Sequence, residues 1–129
     1  MNYYHLKMIA DAITEKAAKM WRVDFEDIIR KSRYAEFTDP RHAVIFVLVT
    51  KYSTRCHRNT AYMPSGKISL KMIGKYFSDR GHSTILHSKA KAEDLMFTEP
   101  DYQKMITILG ELADEVYNRI LTEEVQNVA

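Results

Sequence analysis

Residues 69–87 read Ser69-Leu-Lys-Met-Ile-Gly-Lys-Tyr-Phe-Ser-Asp-Arg-Gly-His-Ser-Thr-Ile-Leu-His87, and the way this stretch divides decides the fold. Ser69 is a helix cap, and Ile73 and Phe77 fall four apart on one face of a helix over 70–77. Ser78-Asp-Arg-Gly81 is turn chemistry. A second helix then runs from Ser83 to about Phe97, with Ile85 and Leu86 expected to anchor it to a core. Two helices across a four-residue turn containing Gly81 have the proportions of a helix-turn-helix.

Working upstream, Leu6, Ile9, Ala10, Ile13, Ala17 and Met20 recur at helical spacing within residues 3–21. Asp24 is placed to cap a short helix running to about Ser32, with Phe25, Ile28 and Ile29 inward. Residues 33–38 read as a connector, and Asp39-Pro40 as an N-cap followed by proline at the first helical position. The apolar run Ala43 to Val49 carries the β-branched content of a strand. No second strand-like segment exists to pair with it, so it is expected to be a central helix, apolar nearly all round. Downstream, Thr98 with Pro100 in the first turn opens a last helix to about Gln126. Its apolar stripe is Met105, Ile106, Leu109, Leu112, Ala113, Val116, Ile120 and Leu121.

The chain has 129 residues, enough for one core and too few for a catalytic domain beside a binding domain. Its one cysteine, Cys56, excludes an internal disulfide framework and fits a reducing cytosol. The start, Met1-Asn-Tyr-Tyr-His5, is unlike a secretory leader, and no apolar run is long enough to span a membrane. The expected location is cytoplasmic, on the nucleoid. Residues 53–67 form an inserted basic loop, longer than most connections in compact domains. Cys56-His57 within it lacks a second Cys/His pair at zinc-finger spacing, so a solvated loop is preferred there to a metal or thiol site.

Charge is the informative part of the composition. Between 51 and 91 stand nine cations (Lys51, Arg55, Arg58, Lys67, Lys71, Lys75, Arg80, Lys89, Lys91) against the single acid Asp79. Residues 92–129 reverse this, with nine acids against Lys104 and Arg119. A domain so polarised presents one cationic region, for which a polyanion is the natural partner. His82-Ser-Thr84 at the start of the second helix would bring three short hydrogen-bonding side chains to base edges in a major groove. The helix's free N–H groups favour nearby phosphate, and Lys71, Lys75 and Arg80 are placed to reach it. His87 and Lys91 continue the outer face, although His87 also suits a half-buried core position.

Ile73 to His87 resembles the signature of the C-terminal DNA-binding domain of the bacterial chromosomal replication initiator, DnaA. Ala12 to Arg33 is similar to that domain's first two helices and basic loop, and Pro40-Arg-His42 falls where the family opens its long central helix. Residues 9–96 are covered in the family's order, interrupted by the 53–67 loop. The resemblance implies an all-α, Trp-repressor-like helix-turn-helix domain over 1–97, with 98–129 an additional acidic C-terminal helix. It implies Arg33 in a minor groove, where narrow A·T-rich DNA concentrates negative potential. It implies His82 and Ser83 at base edges, with Arg41, Arg80, Thr84 and His87 near phosphate. The chain departs from the pattern at Gly81, where the family usually has an acid suited to a cytosine amino group. Ala35 and Asp39 stand where bases are common, and Val49 replaces a backbone-contacting lysine whose charge Lys51 or the loop could restore.

The expected function is therefore sequence-specific binding of double-stranded DNA in replication initiation, its regulation, or transcription, without ATPase activity. The chain has no Gly-rich phosphate loop followed by Lys-Ser/Thr, and no cofactor or enzymatic role is expected. The alternative is a protein-interaction module that kept the fold and lost site reading, which Gly81 favours. For the last helix two readings stay open: packing back on the module, or offering its stripe to a second copy or to a replication or transcription protein. His5 and His42 are expected at the surface or in caps, and Trp21, Tyr3 and Tyr4 in core and hinge positions.

Overall fold

A computed structural model describes residues 1–53 and 68–128, without the side chains of 125, 127 and 128. The basic loop, with Cys56 and His57, therefore lies outside the described residues, except that its ends are joined. The Ile68 N–H donates to the Tyr52 carbonyl at 2.8 Å, beside an isolated bridge between Ser53 and Ile68. The described residues form helices and no β-strand: α1 (Tyr3–Trp21), α2 (Phe25–Ile29), α3 (Ala35–Tyr52), α4 (Leu70–Tyr76), α5 (His82–Thr98) and α6 (Pro100–Val128).

The segment of ambiguous pattern is α3, and its surroundings explain its composition. It packs against all five other helices, so Ala43, Val44, Ile45, Val47, Leu48 and Val49 are buried on almost every side. Full burial of such a side chain contributes about 1.5–3 kcal/mol, more than enough to override the modest helix reluctance of valine and isoleucine. α1 lays Leu6, Ile9, Ala10, Ile13 and Ala17 into the same core and ends at Arg22 in a left-handed conformation (φ 58°). Asn2 caps its start by accepting from the His5 N–H at 2.9 Å.

Three local expectations are corrected. Asp39-Pro40 does not start the central helix: the Tyr34 carbonyl accepts from the N–H groups of Phe37 and Thr38, and the helix is already under way at Ala35. Pro40 sits inside it, buried, and removes the bond that would otherwise run to Glu36. The second helix ends at Ile29 rather than near Ser32, and Asp24 makes no side-chain cap bond. Thr98 belongs to the end of α5, its hydroxyl donating to the Asp94 carbonyl, so α6 opens at Pro100.

The last helix packs on α1, α3 and α5. Ile106, Leu109, Ala113, Val116 and Ile120 are buried there, and Tyr102 sets its ring edge-on to Trp21, 5.8 Å between centroids. These five positions of the apolar stripe are thus buried within the chain, while Leu121 at its far end is 40% exposed. No described helix is long and apolar enough to cross a membrane.

Candidate nucleic-acid interface

α4 and α5 meet through a turn whose geometry is unusual. Ser78 and Asp79 both adopt left-handed backbone (φ 62° and 57°), which turns the chain sharply after α4. Ser69 caps α4 by accepting from the Met72 N–H at 3.1 Å, and Ile73 and Phe77 are wholly buried. Across the turn the Arg80 N–H donates to the Gly74 carbonyl at 2.9 Å. Gly81 is the N-cap of α5, with ordinary backbone (φ −76°) and no side chain to satisfy the first N–H groups. No side chain caps them, and a helix start of this kind favours an anion.

The register of α5 follows from its buried positions, Ile85, Ser88 and Ala92. Exposed around the rest of the helix are His82, Ser83, Thr84, His87 and Lys91, with Lys71 and Lys75 exposed on α4. Lys71, Lys75, Arg80, Gly81 and His82 line one shallow depression between the two helices. Lys75 also lies over the Tyr3 ring, its Nζ 4.6 Å from the centroid. Leu86 is a residue that sequence reasoning assigned wrongly. It was expected to anchor α5, but Ile85 is fully buried while Leu86 is 36% exposed on the outer face. One helical step of about 100° separates the two, so a core position at 85 turns 86 outward.

Arg41 is the other correction. Expected near phosphate, it is 2% exposed, among the most buried side chains of the molecule. Its guanidinium donates to four backbone carbonyls: Nε to Ile28, Nη1 to Ser32 at 2.8 Å, and Nη2 to both Asp27 (3.1 Å) and Arg30. α2 is only five residues long, and its last carbonyls have no following turn to bond them. Arg41 supplies the missing donors and a cation at the negative helix end. Burial, and secondarily Arg80 nearby, lower its pKa to about 10, so it remains charged at neutral pH.

The same loop is held from the other side. Arg80 Nη2 donates to the Arg30 carbonyl at 2.8 Å and Ser78 Oγ to the Ile29 carbonyl at 2.9 Å. Arg33 follows directly on this pinned segment and is exposed. The structure therefore brings the Arg33 loop and the start of α5 together through the turn, and it withdraws Arg41 from the surface.

Two further basic candidates are placed otherwise than expected. Lys51 does not replace the charge missing at Val49, because its Nζ is 3.0 Å from both carboxylate oxygens of Asp114 on α6. His42 is half-buried rather than at the surface, with its Nδ1 lacking a hydrogen-bond partner. Desolvation first, then Arg41, His87, Lys91 and Arg80, push its pKa down to about 4, so it is neutral at physiological pH. His5 is half-buried, 3.1 Å from Glu124 near the end of α6.

Fold and side-chain placement define an all-α domain in which α4 and α5 are set across a tight turn. No family model matches the chain. Among known proteins it is similar to the chromosomal replication initiator DnaA of several bacteria. It is 35% identical to that of Acholeplasma laidlawii over 83 residues, which is 64% of this chain and 16% of that protein. To DnaA of Neisseria meningitidis serogroup C it is 27% identical over 110 residues, 81% of this chain and 18% of the relative. To DnaA of Methylacidiphilum infernorum it is 26% identical over 101 residues, 78% of this chain and 19% of the relative. The chain thus corresponds to a domain-sized part, under a fifth, of the relatives it matches. A match covering 81% of the chain cannot fit within residues 1–96, so the similarity continues into α6.

Proposed function

We propose that the chain binds double-stranded DNA at a preferred sequence. In this reading α5 enters the major groove by its N-terminus, and Arg33 enters the adjacent minor groove. The observation that carries it is the shared face of α4 and α5. There the uncapped start of α5, with His82, stands beside Lys71, Lys75 and Arg80, and Ser83 and Thr84 follow, exposed, in its first turn. Short polar side chains at a helix N-terminus suit base edges, while flanking cations and free amides suit phosphate. Leu86, on the same face, adds an apolar contact suited to a thymine methyl. His87 and Lys91 extend the face toward the backbone. The relatives' name places them in chromosomal replication initiation, and we assign this chain to that process, its regulation, or transcription control, without nucleotide hydrolysis of its own.

Selection of bound duplexes from a random pool, followed by mobility shifts, tests this reading. An enriched motif is expected, with His82→Ala and Arg33→Ala each losing part of the preference. Absence of binding to any duplex at low salt overturns it. Gly81 favours a second reading, a protein-interaction module, because the acceptor that the family resemblance leads one to expect is missing there. Binding without any sequence preference would reduce the first reading to nonspecific attachment.

A further inference from the structure

The buried Arg41 guanidinium is an uncommon expenditure for a small domain. Among the described residues it forms no ion pair with a carboxylate, and its N–H groups are given to the carbonyls of Asp27, Ile28, Arg30 and Ser32. Those carbonyls belong to the end of α2 and the segment leading to Arg33. The Arg30 carbonyl accepts a second guanidinium, that of Arg80, and the neighbouring Ile29 carbonyl accepts Ser78 Oγ. Ser78 and Arg80 lie in the turn that sets the start of α5, while Arg41 is rooted in the central helix α3. Three side chains from two elements thus close on one stretch of backbone.

We infer that Arg41, with Ser78 and Arg80, is a positioning device that fixes the distance and phase between Arg33 and His82-Ser83, and so sets how two grooves are read at once. The inference rests on the DNA-binding reading above. Base contacts require placement within tenths of an ångström, whereas phosphate attraction tolerates slack. The segment that carries Arg33, following a five-residue helix, has no rigidity of its own. Bonding its carbonyls to the core and to the turn gives it that rigidity. A planar fork with five donors suits the task, and lysine, a point charge with three donors, does not.

The test measures affinities of the full chain for its selected duplex and for a random duplex of equal length. Arg41→Lys keeps the charge and breaks the fork; Ser78→Ala removes one strut at the turn. If the clamp positions the reading groups, Arg41→Lys lowers the preference for the selected duplex by about tenfold and Ser78→Ala by a smaller factor. The salt slope on random duplex stays as in the unaltered chain, because no phosphate contact is removed. Adding Arg33→Ala to Arg41→Lys then costs less than Arg33→Ala alone, since the arginine is already misplaced. A purely structural role would reduce the folded fraction and weaken both duplexes together, leaving their ratio unchanged. That unchanged ratio in both variants, or equal Arg33→Ala losses in both backgrounds, overturns the inference. If Arg41→Lys fails to fold, the cycle of Ser78→Ala with Arg33→Ala decides. Should the unaltered chain show no preference among duplexes, the functional reading fails and takes the inference with it. A preference that survives in the clamp variants overturns the inference alone.

Discussion

Gly74 and Arg80 meet backbone to backbone across the turn between α4 and α5. A Cβ on residue 74 would stand 1.9 Å from the Arg80 carbonyl oxygen, and the Arg80 N–H bonds to the Gly74 carbonyl at 2.9 Å. No flexible side chain is available to yield, because the obstacle is backbone. Gly74→Ala must therefore push the turn open and displace the start of α5. We expect a loss of at least about 3 kcal/mol, at the upper end for overpacking, read as a lowered urea midpoint. DNA binding should fall with the folded fraction. A variant of unchanged midpoint would show that the turn relaxes freely.

This close approach was hidden in the sequence, where Gly74 passed as an unremarked helical residue and Gly81 drew attention as the turn glycine. The periodic signals were legible: the α1 stripe, the Ser69 cap, the helix pair and the α6 stripe all follow from local spacing. What local spacing cannot show is which distant backbone a side chain will meet. Arg41 is thirteen residues from Ile28 in sequence and is bonded to its carbonyl, and Lys51 is paired with Asp114 sixty-three positions away. The family resemblance puts Arg41 near phosphate and Lys51 offers to replace the charge missing at Val49, and neither expectation carries information about these distant partners. Pro40 misled for a related reason: Asp-Pro is a genuine helix-start pattern, but Ala35 and Glu36 before it are good helix formers, and the Tyr34 carbonyl starts the helix earlier. Leu86 was recoverable, since the 85–88–92 spacing already turned it outward.

Gly81 presents the opposite case to Gly74. Its φ is −76° and a Cβ there would meet nothing within 4 Å, so the position accepts any side chain. Gly81→Asp should stabilise the domain by a few tenths to about 1 kcal/mol, by capping α5 and placing an anion at its positive end. The same carboxylate competes with phosphate for the free amides and adds an acceptor for a cytosine amino group. Thermal unfolding should therefore rise while binding to random duplex weakens, and the selected motif should shift toward a C·G pair at one position. An unaltered motif would indicate that residue 81 does not face the bases.

Lys75 and Leu86 are both exposed but should fail differently. Removing a phosphate contact weakens all sequences alike, so Lys75→Ala is expected to lower affinity for every duplex and reduce the salt slope by about one. Leu86→Ala removes a partly exposed apolar side chain and no charge. It should leave the salt slope intact and cost about 1 kcal/mol at one A·T pair of the preferred site. Titrations at several salt concentrations on matched and mismatched duplexes separate the two. Identical behaviour of both variants would remove α5 from the groove.

His42 gives the domain an acid sensitivity whose direction is fixed. Burial first, then the neighbouring Arg41, His87, Lys91 and Arg80, hold its pKa at about 4, against 6.5 for the free side chain. Between those values the unfolded chain binds a proton that the folded domain refuses, so stability is whole above about pH 6.5 and falls as pH drops toward 4. From about pH 7.5 to about pH 5 the loss from this residue should approach roughly 2 kcal/mol. Carboxylates contribute their own acid loss, and comparison with a variant isolates the histidine. His42→Gln keeps a polar side chain of similar reach without a titrating proton. Its urea midpoint should change less than that of the unaltered chain across the same interval. Parallel pH profiles for the two proteins would show that His42 takes up its proton as readily in the fold as outside it.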